Sequence, residues 1–196
     1  MSPVEDGKDR LMPRYVALLR GLNVGGHRVK MDRIRSLFED LGLEEVSTVL
    51  ASGNVIFTTQ SEDVDGLQAA IERQLEQQLG YEVDTFLRTP DELAAAAAHE
   101  AAEPPSGFDP PVSHYVIFLH APAPESLQTV LEELSSDMDA FHFAGREVHW
   151  RIAGKLSGSP LFGAGLDRAT RGIALTMRNM NTVRRLVTKT GRGFPY

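Results

Sequence analysis

The sequence contains no cysteine among its 196 residues. Disulfide bonds, a thiol nucleophile and thiolate metal ligands are therefore excluded, and the composition suits a reducing cytosol, so we expect a cytoplasmic protein. No apolar run is long enough to span a membrane, and the N-terminus lacks the apolar core of a signal peptide, so we expect no membrane partner. A chain of this length and ordinary hydrophobic content forms one large or two small globular domains.

Basic residues are almost missing from the middle of the chain, and acidic residues from its end. Residues 36–150 hold three arginines against 22 acids, whereas residues 151–196 hold nine basic residues and one acid, Asp167. The net charge of −7 argues against broad nucleic-acid binding, because non-specific affinity depends on neutralising phosphates. Residues 1–35 are basic as well. Two basic ends favour a local anion site if the fold brings them together, although they would also neutralise an acidic middle packed against them.

The hydrophobic pattern of residues 13–100 alternates between strand and helix periods. It predicts strands at 15–22, 46–50, 55–59 and 83–88, with helices over 34–41 and 67–79. This βαββαβ order is the ferredoxin-like unit. A short alanine-rich helix follows it, beginning with a capping box at residues 89–92.

Residues 101–112 are rich in proline and predict a linker, after which the pattern starts again. Strands are predicted at 115–119, 141–143, 148–150 and 172–177, with helices over 127–134, from Ser159-Pro160 with Ser159 as cap, and over 182–189. We therefore predict an α+β protein of two ferredoxin-like (βαββαβ) halves in tandem, with antiparallel sheets and helices packed on one face. The predicted parts are a flexible tail (1–12), a first half (13–100), the linker (101–112) and a second half with a C-terminal helix (113–196).

Polar residues gather where two strands of the first half end. A right-handed crossover makes the first and second strands parallel, with the third between them, so their carboxyl ends share one sheet edge. The residues expected at this edge are Arg20, Asn23, Gly25, Gly26, Ser52 and Asn54. We predict that the arginine holds an anion while glycines let backbone N–H groups approach it. Tight-turn chemistry alone explains the asparagines and glycines equally well, and the loop matches neither the P-loop nor the dinucleotide fingerprint.

A second polar string lies between the last strand and the last helix. Arg178 offers a guanidinium fork for a carboxylate or phosphate, and Asn179 and Asn181 offer amides. Whether this string reaches the Arg20 loop depends on how the halves pack. Two structural alternatives stay open, in which Asn181 caps the terminal helix and Arg178 pairs with the acidic middle of the chain.

Catalytic and metal-binding patterns are weak. A two-residue turn at Gly145-Arg146 places His142 opposite His149, but two histidines are too few for a metal site, and we expect neither a metal nor a cofactor. Lys155 lies near Ser159, a residue that helix capping explains without chemistry. No catalytic residue is assigned, so the pattern leaves open whether the protein is an enzyme.

Three strings carry a resemblance to a known family. They are YVALLRGLNVGG (15–26), SGNVIF (52–57) and TMRNMNTV (176–183). Together, and in this order, they resemble the family called domain of unknown function 1697 over roughly residues 13–190. That family usually has isoleucine where this chain has Leu22 and an aromatic residue where it has Met180. The resemblance implies a bacterial protein of two ferredoxin-like halves and brings no established activity.

The leading functional hypothesis is the binding of a small anionic, phosphate- or nucleotide-like ligand at the Arg/Asn/Gly site. Nucleic-acid binding through the basic C-terminal segment is an alternative, because one ferredoxin-like unit is the RNA-recognition fold. That module stacks bases on aromatic residues of its central strands, where this chain has Asn54 and Ile56. An enzyme acting on phosphorylated substrates is the third hypothesis, and the oligomeric state does not follow from these patterns.

Overall fold

The computed structural model describes residues 12–23, 25–99 and 112–191. Within them the chain forms eight strands and six α-helices. The predicted tail (1–12) and linker (101–112) lie outside the described residues, apart from Met12 and Val112. No helix of the described part has the length and hydropathy that a membrane crossing requires.

The first half forms a four-stranded antiparallel sheet in the order β2-β3-β1-β4. Its elements are β1 (Arg14–Arg20), α1 (Met31–Glu39), β2 (Glu44–Thr48), β3 (Asn54–Thr58), α2 (Val64–Leu79), β4 (Asp84–Arg88) and α3 (Pro90–Ala98). The predicted βαββαβ order is confirmed, with β3 between β1 and β2. The predicted capping box also forms, because the Thr89 side chain accepts from the backbone N–H of Glu92 while the Glu92 carboxylate accepts from that of Thr89.

The second half repeats this arrangement in the order β6-β7-β5-β8. Its elements are β5 (Val112–Leu119), α4 (Glu125–Glu133), β6 (Asp139–Ala144), β7 (Glu147–Ala153), α5 (Ala164–Ala169), β8 (Leu175–Asn179) and α6 (Met180–Lys189). Two four-stranded antiparallel sheets with helices therefore form two similar halves, and the prediction of an α+β fold is confirmed.

The predicted start of the fifth helix is wrong. We expected a helix from Ser159-Pro160 with Ser159 as its cap, but α5 begins at Ala164, after Gly163. The Ser159 hydroxyl donates instead to Oδ1 of Asp139, at 2.7 Å. Asp139 is fully buried, so its carboxylate needs this donor more than a solvated helix end would.

Strand alternation divides the apolar residues among three cores. In β1, Ala17 and Leu19 face α1 and α2, whereas Val16 and Leu18 lie in a core that both halves share. The shared core contains residues of both sheets together with α3 and α6. Two helices of each half thus cover one sheet face, as predicted, while α3 and α6 lie on the opposite face. Each apolar side chain fully buried there stabilises the fold by about 1.5–3 kcal/mol, so this core ties the halves together.

Candidate functional site

The glycine-rich loop after β1 is held by its own turn contacts. The Asn23 side-chain oxygen accepts a hydrogen bond from the backbone N–H of Val29, at 2.9 Å. Gly25 and Gly26 have φ angles of +63° and +88°, a region that favours glycine. The contacts of Asn23, Gly25 and Gly26 are therefore those of tight-turn chemistry.

The Arg20 side chain, which we expected to hold an anion, pairs with an acidic residue of strand β4. Its guanidinium pairs with the Asp84 carboxylate at 3.2 Å, because these residues are opposite each other in the β1–β4 register. Arg20 also lines a cleft of about 420 Å³ with Thr170 and Arg171 of the second half. Its side chain is 48% exposed, so the ion pair with Asp84 stabilises the fold by at most about 1 kcal/mol.

Ser52, Asn54 and Arg178 do come together, in a buried network that joins the halves. The Asn54 amide nitrogen donates to the Ser52 hydroxyl at 2.8 Å and to the Val49 carbonyl at 2.9 Å. Its amide oxygen accepts from Nε of Arg178, at 2.7 Å. The C-terminal basic string therefore contacts the first half. The sequence alone left this contact open, because it depends on how the two halves pack.

Arg178 uses its remaining N–H groups on other internal oxygens. Nη1 donates to the Thr176 hydroxyl at 2.8 Å and to the Met177 carbonyl at 2.9 Å. Nη2 donates to the Leu19 carbonyl at 2.9 Å and to the Gly53 carbonyl at 3.3 Å. Burial lowers the pKa of Arg178 to about 10, which leaves it charged at neutral pH. Its partners are neutral acceptors rather than the acidic residues we had considered, and no N–H group remains for a ligand.

Arg88 of β4 corresponds to Arg178 and makes the same kind of contact in the opposite direction, from the first half to the second. Nη2 of Arg88 donates to the carbonyls of Leu119 and Arg146, at 2.7 and 3.3 Å. Its Nε donates to the Glu147 carboxylate at 2.6 Å, where Arg178 has Asn54. Each half thus inserts an arginine into the strand end and hairpin of the other. We call this pair of contacts the arginine interlock.

A glycine in the β2–β3 hairpin allows the hairpin to lie close to the end of β1. Gly53 has a φ of +71°, and a Cβ added there would lie 3.1 Å from Cβ of Leu19. We expect Gly53→Ala to lower the free energy of unfolding by about 2–3 kcal/mol, from backbone strain plus this contact. Gly26→Ala is the control, because Gly26 also has a positive φ but nothing within 4 Å, so only about 1 kcal/mol should be lost. Equal losses in urea titrations of the two variants would contradict the steric explanation.

The last two predicted residues, Asn179 and Asn181, line a cleft of about 310 Å³ at the start of α6. Asn179 is the helix cap, since its side chain accepts from the backbone N–H of Thr182 at 2.8 Å. Asn181 lies inside the helix, so the alternative in which it caps α6 is wrong; β8 runs to Asn179 and the helix begins two residues earlier than expected. Residues Val112, Ser113, His114, Tyr115, Met180 and Arg184 complete the lining, and we call this the α6 cleft.

A cluster of four histidines lies behind the α6 cleft. Nε2 of His114 is 3.0 Å from Nδ1 of His149, and the ring of His99 stacks on that of His149 at 4.3 Å between centroids. The ring centroids of His142 and His99 are 4.6 Å apart. His142 also lies opposite His149 in the β6–β7 register, as we predicted from the two-residue turn. His149 is fully buried, and its Nε2 has no hydrogen-bond partner among the residues that the structure describes. We call these residues the histidine cluster.

Burial, together with nearby positive charge, lowers the pKa of His114 and of His149. Burial, followed by Arg151 and Arg184, lowers the pKa of His114 to about 4. Burial and the neighbouring histidines lower that of His149 to about 3. Among the described residues, no carboxylate raises the pKa of either ring, so the cations around them are not offset.

The first half contains an equivalent cleft with a different charge. Residues Met12, Pro13, Arg14, Tyr15, Thr89, Pro90, Asp91 and Thr190 line a cleft of about 450 Å³ at the start of α3. The first turn of α3 carries the acids Asp91 and Glu92, whereas the first turn of α6 carries none. Carboxylates in the first helical turn occupy the favourable end of the helix dipole. The first turn of α6, at the α6 cleft, has no carboxylate at that position.

The histidine cluster does not have the geometry of a metal centre. Its rings stack with interplanar angles of 24° and 31° around His99, so their nitrogen lone pairs do not converge on one point. In the described ranges, no group of three or more histidine, aspartate or glutamate side chains is placed to hold a metal ion.

The comparisons with known proteins place the chain in a family. The model of the family described as protein of unknown function (DUF1697) matches residues 12–149. The chain belongs to this family. A search among curated proteins finds no match.

Solved structures support the fold of this family member. A conserved bacterial protein from Streptococcus pneumoniae is 20% identical, with a TM-score of 0.63 over 92% of this chain and 99% of that one. An unknown protein from Galdieria sulphuraria is 14% identical, with a TM-score of 0.26 over 86% of this chain and 98% of that one. The likeness to the first protein shows that the two chains share a fold. The TM-score of the second is too low to support a conclusion.

Sequence patterns missed three residues of the α6 cleft and histidine cluster. Arg184 was given no role in the sequence analysis, and His99 and His114 are the single histidines of their segments. One signal was available for His114. In the ferredoxin-like order β5 pairs with β7, so a histidine near the start of β5 approaches the end of the strand that carries His149.

Proposed function

We propose that this protein binds a small anionic, phosphate- or nucleotide-like ligand in the α6 cleft. The observation that supports the proposal most is positive charge around His114 that no carboxylate of the described residues offsets. Arg184 lines the cleft, Arg151 lies near it, and no carboxylate of the described residues offsets their effect on His114. Such a region attracts anions from solution and gains more from binding one than a neutralised surface would.

The proposed contacts follow from the lining residues. The Arg184 guanidinium holds two oxygens of a phosphate or carboxylate group in a fork. Backbone N–H groups in the first turn of α6 lie at the favourable end of the helix dipole. Asn181 sets the orientation of the ligand through its amide. From the wider set of predicted residues, this proposal keeps Asn179 and Asn181 and leaves Arg178 with the arginine interlock.

The expected affinity is modest. Each charged hydrogen bond contributes about 1.5–3 kcal/mol, and association costs several kcal/mol. Three or four such contacts correspond to a dissociation constant between roughly micromolar and millimolar. Titrations should therefore reach several millimolar ligand at low salt, because exposed charges are screened.

The first test is isothermal titration of inorganic phosphate and of a nucleoside monophosphate into wild type and Arg184→Ala. The variant should bind about tenfold to a hundredfold more weakly, the equivalent of one charged contact. Arg185→Ala is the matched control, because Arg185 is the adjacent exposed arginine of α6 but does not line the cleft. We expect it to bind like wild type.

A third variant distinguishes this site from the one predicted at the strand edge. Arg20→Ala removes the cation of the other cleft, which Arg171 also lines. We expect its anion binding to match that of wild type. Loss of binding in Arg20→Ala with normal binding in Arg184→Ala would move the site to the Arg20 cleft and overturn the proposal.

Nucleic-acid binding has less support. The sheet face that would carry stacking aromatics contains Ile56, which is buried in the core shared by the halves, and Asn54, which contacts Arg178. In the basic C-terminal segment, the exposed face of α6 offers Arg184, Arg185 and Lys189 to a phosphate backbone. A short oligonucleotide in the same titration tests this, since such binding would weaken steeply with salt and would depend on Arg185 as much as on Arg184.

A further inference from the structure

The histidine cluster suggests how the α6 cleft responds to pH. His114 belongs to both features, because it lines the cleft and its Nε2 lies 3.0 Å from Nδ1 of His149. We propose that an anion bound in the α6 cleft draws a proton onto the hydrogen-bonded pair of His114 and His149. This inference rests on the proposed function, since it describes the regulation of the same site.

The geometry of the pair supports proton uptake as a unit. In the neutral pair, one ring donates and the other accepts across the 3.0 Å contact. The buried Nε2 of His149 has no partner among the described residues, so the contact with His114 is the one hydrogen bond that they give this ring. A proton added to the pair keeps the central hydrogen bond and leaves one positive charge delocalised beside the cleft. Because His114 lines the α6 cleft, this positive charge can attract a ligand bound there.

The surroundings explain why the proton is absent until an anion binds. The titratable and charged groups around the pair come from four elements, namely His99 after α3, His142 in β6, Arg151 in β7 and Arg184 in α6. Together with burial they lower the pKa of His114 to about 4 and that of His149 to about 3. An anion against Arg184 reverses part of this repulsion and stabilises the imidazolium.

Thermodynamic linkage fixes the direction of the pH effect. If the anion raises the pKa of the pair, then protonation of the pair must tighten anion binding by the same factor. Binding should therefore strengthen as the pH falls through the range between the pKa of the free pair and that of the bound pair. The gain is at most about tenfold per pH unit for one linked proton.

Sulfate is the appropriate probe, because it remains a dianion throughout this pH range, whereas phosphate takes up a proton itself. Titration of sulfate at pH 5.5 in two buffers of different ionisation enthalpy measures the protons taken up for each anion bound. We expect a positive uptake of up to one proton in the wild-type protein, with tighter binding at pH 5.5 than at pH 7.5.

Two variants show which residues take up the proton. His114→Gln should reduce the uptake to near zero and flatten the pH dependence of sulfate affinity. His120→Gln is the control, because His120 is exposed, stacks on Phe86 and lies outside the histidine cluster. Its uptake should equal that of wild type.

The outcomes separate the two proposals. Sulfate binding that depends on Arg184 but takes up no proton overturns this inference and leaves the proposed function in place. Binding with proton uptake that persists in His114→Gln also overturns it. If neither sulfate nor phosphate binds at either pH, the proposed function fails, and this inference fails with it.

Discussion

Replacing Arg178 with methionine should lower the free energy of unfolding by about 3–5 kcal/mol, a loss that few single substitutions produce. The methionine side chain fills most of the same volume but donates no hydrogen bond. Two buried acceptors of the first half, the Leu19 carbonyl and the Asn54 amide oxygen, would lose the arginine as their donor, while the Gly53 carbonyl would keep only its bond from the Leu19 N–H. Each unsatisfied buried group costs about 1–3 kcal/mol.

Urea denaturation followed by the fluorescence of Trp150, which is fully buried, measures this loss. Arg185→Met is the matched control, because Arg185 is an exposed arginine on the helix that follows Arg178, and its change should stay within about 0.5 kcal/mol. Arg88→Met tests the other side of the arginine interlock and should cost at least as much, since it also leaves the Glu147 carboxylate without its partner. A loss below about 1 kcal/mol for Arg178→Met would show that the interlock does not hold the halves together.

Acidification should destabilise the protein between pH 6.5 and pH 4, above the range in which most carboxylates titrate. The pKa values of His114 and His149 in the folded state, about 4 and 3, lie below the value of 6.5 in an unfolded chain. The unfolded state therefore binds more protons in this window, and stability that is complete above pH 6.5 is lost as the pH falls. Because the two rings are coupled, we expect a total loss of about 3–5 kcal/mol.

Unfolding by urea at half-unit steps of pH measures this dependence. His114→Gln should remove a large part of the fall between pH 6.5 and pH 4, because one of the two depressed groups is gone. His27→Gln should retain the full fall, because His27 is exposed and lies outside the histidine cluster. Parallel curves for wild type and His114→Gln would show that groups outside the histidine cluster cause the acid sensitivity.

Local signals in the sequence were sufficient to predict the order of the strands and helices and one pairing of residues across a hairpin. The two-residue turn at Gly145-Arg146 fixes the hairpin register, so the contact between His142 and His149 could be predicted. The capping box at Thr89 was likewise readable, because it involves residues only three apart. Ser159 misled the prediction because its hydroxyl serves a buried carboxylate that lies 20 residues earlier in the chain.

The side-chain partners of the candidate site depend on distant segments. Arg20 pairs with Asp84 through a strand register that no local signal determines. Arg178 reaches Asn54 across 124 residues, and only the packing of the two halves brings them together. The histidine cluster draws its members from four segments, so the sequence shows the His142–His149 pair but does not connect His99 and His114 with it.

The arginine interlock occupies matching surfaces of the two halves, so the two halves complete each other's contact. In a symmetric dimer, the same patch on each subunit contacts its counterpart, and the contact is complete once two copies have met. Here the two patches belong to one chain, since Arg88 binds the second half and Arg178 binds the first. The sheet faces that would pair two separate units are used up within the molecule. Any larger assembly of this protein must therefore be built from other surfaces.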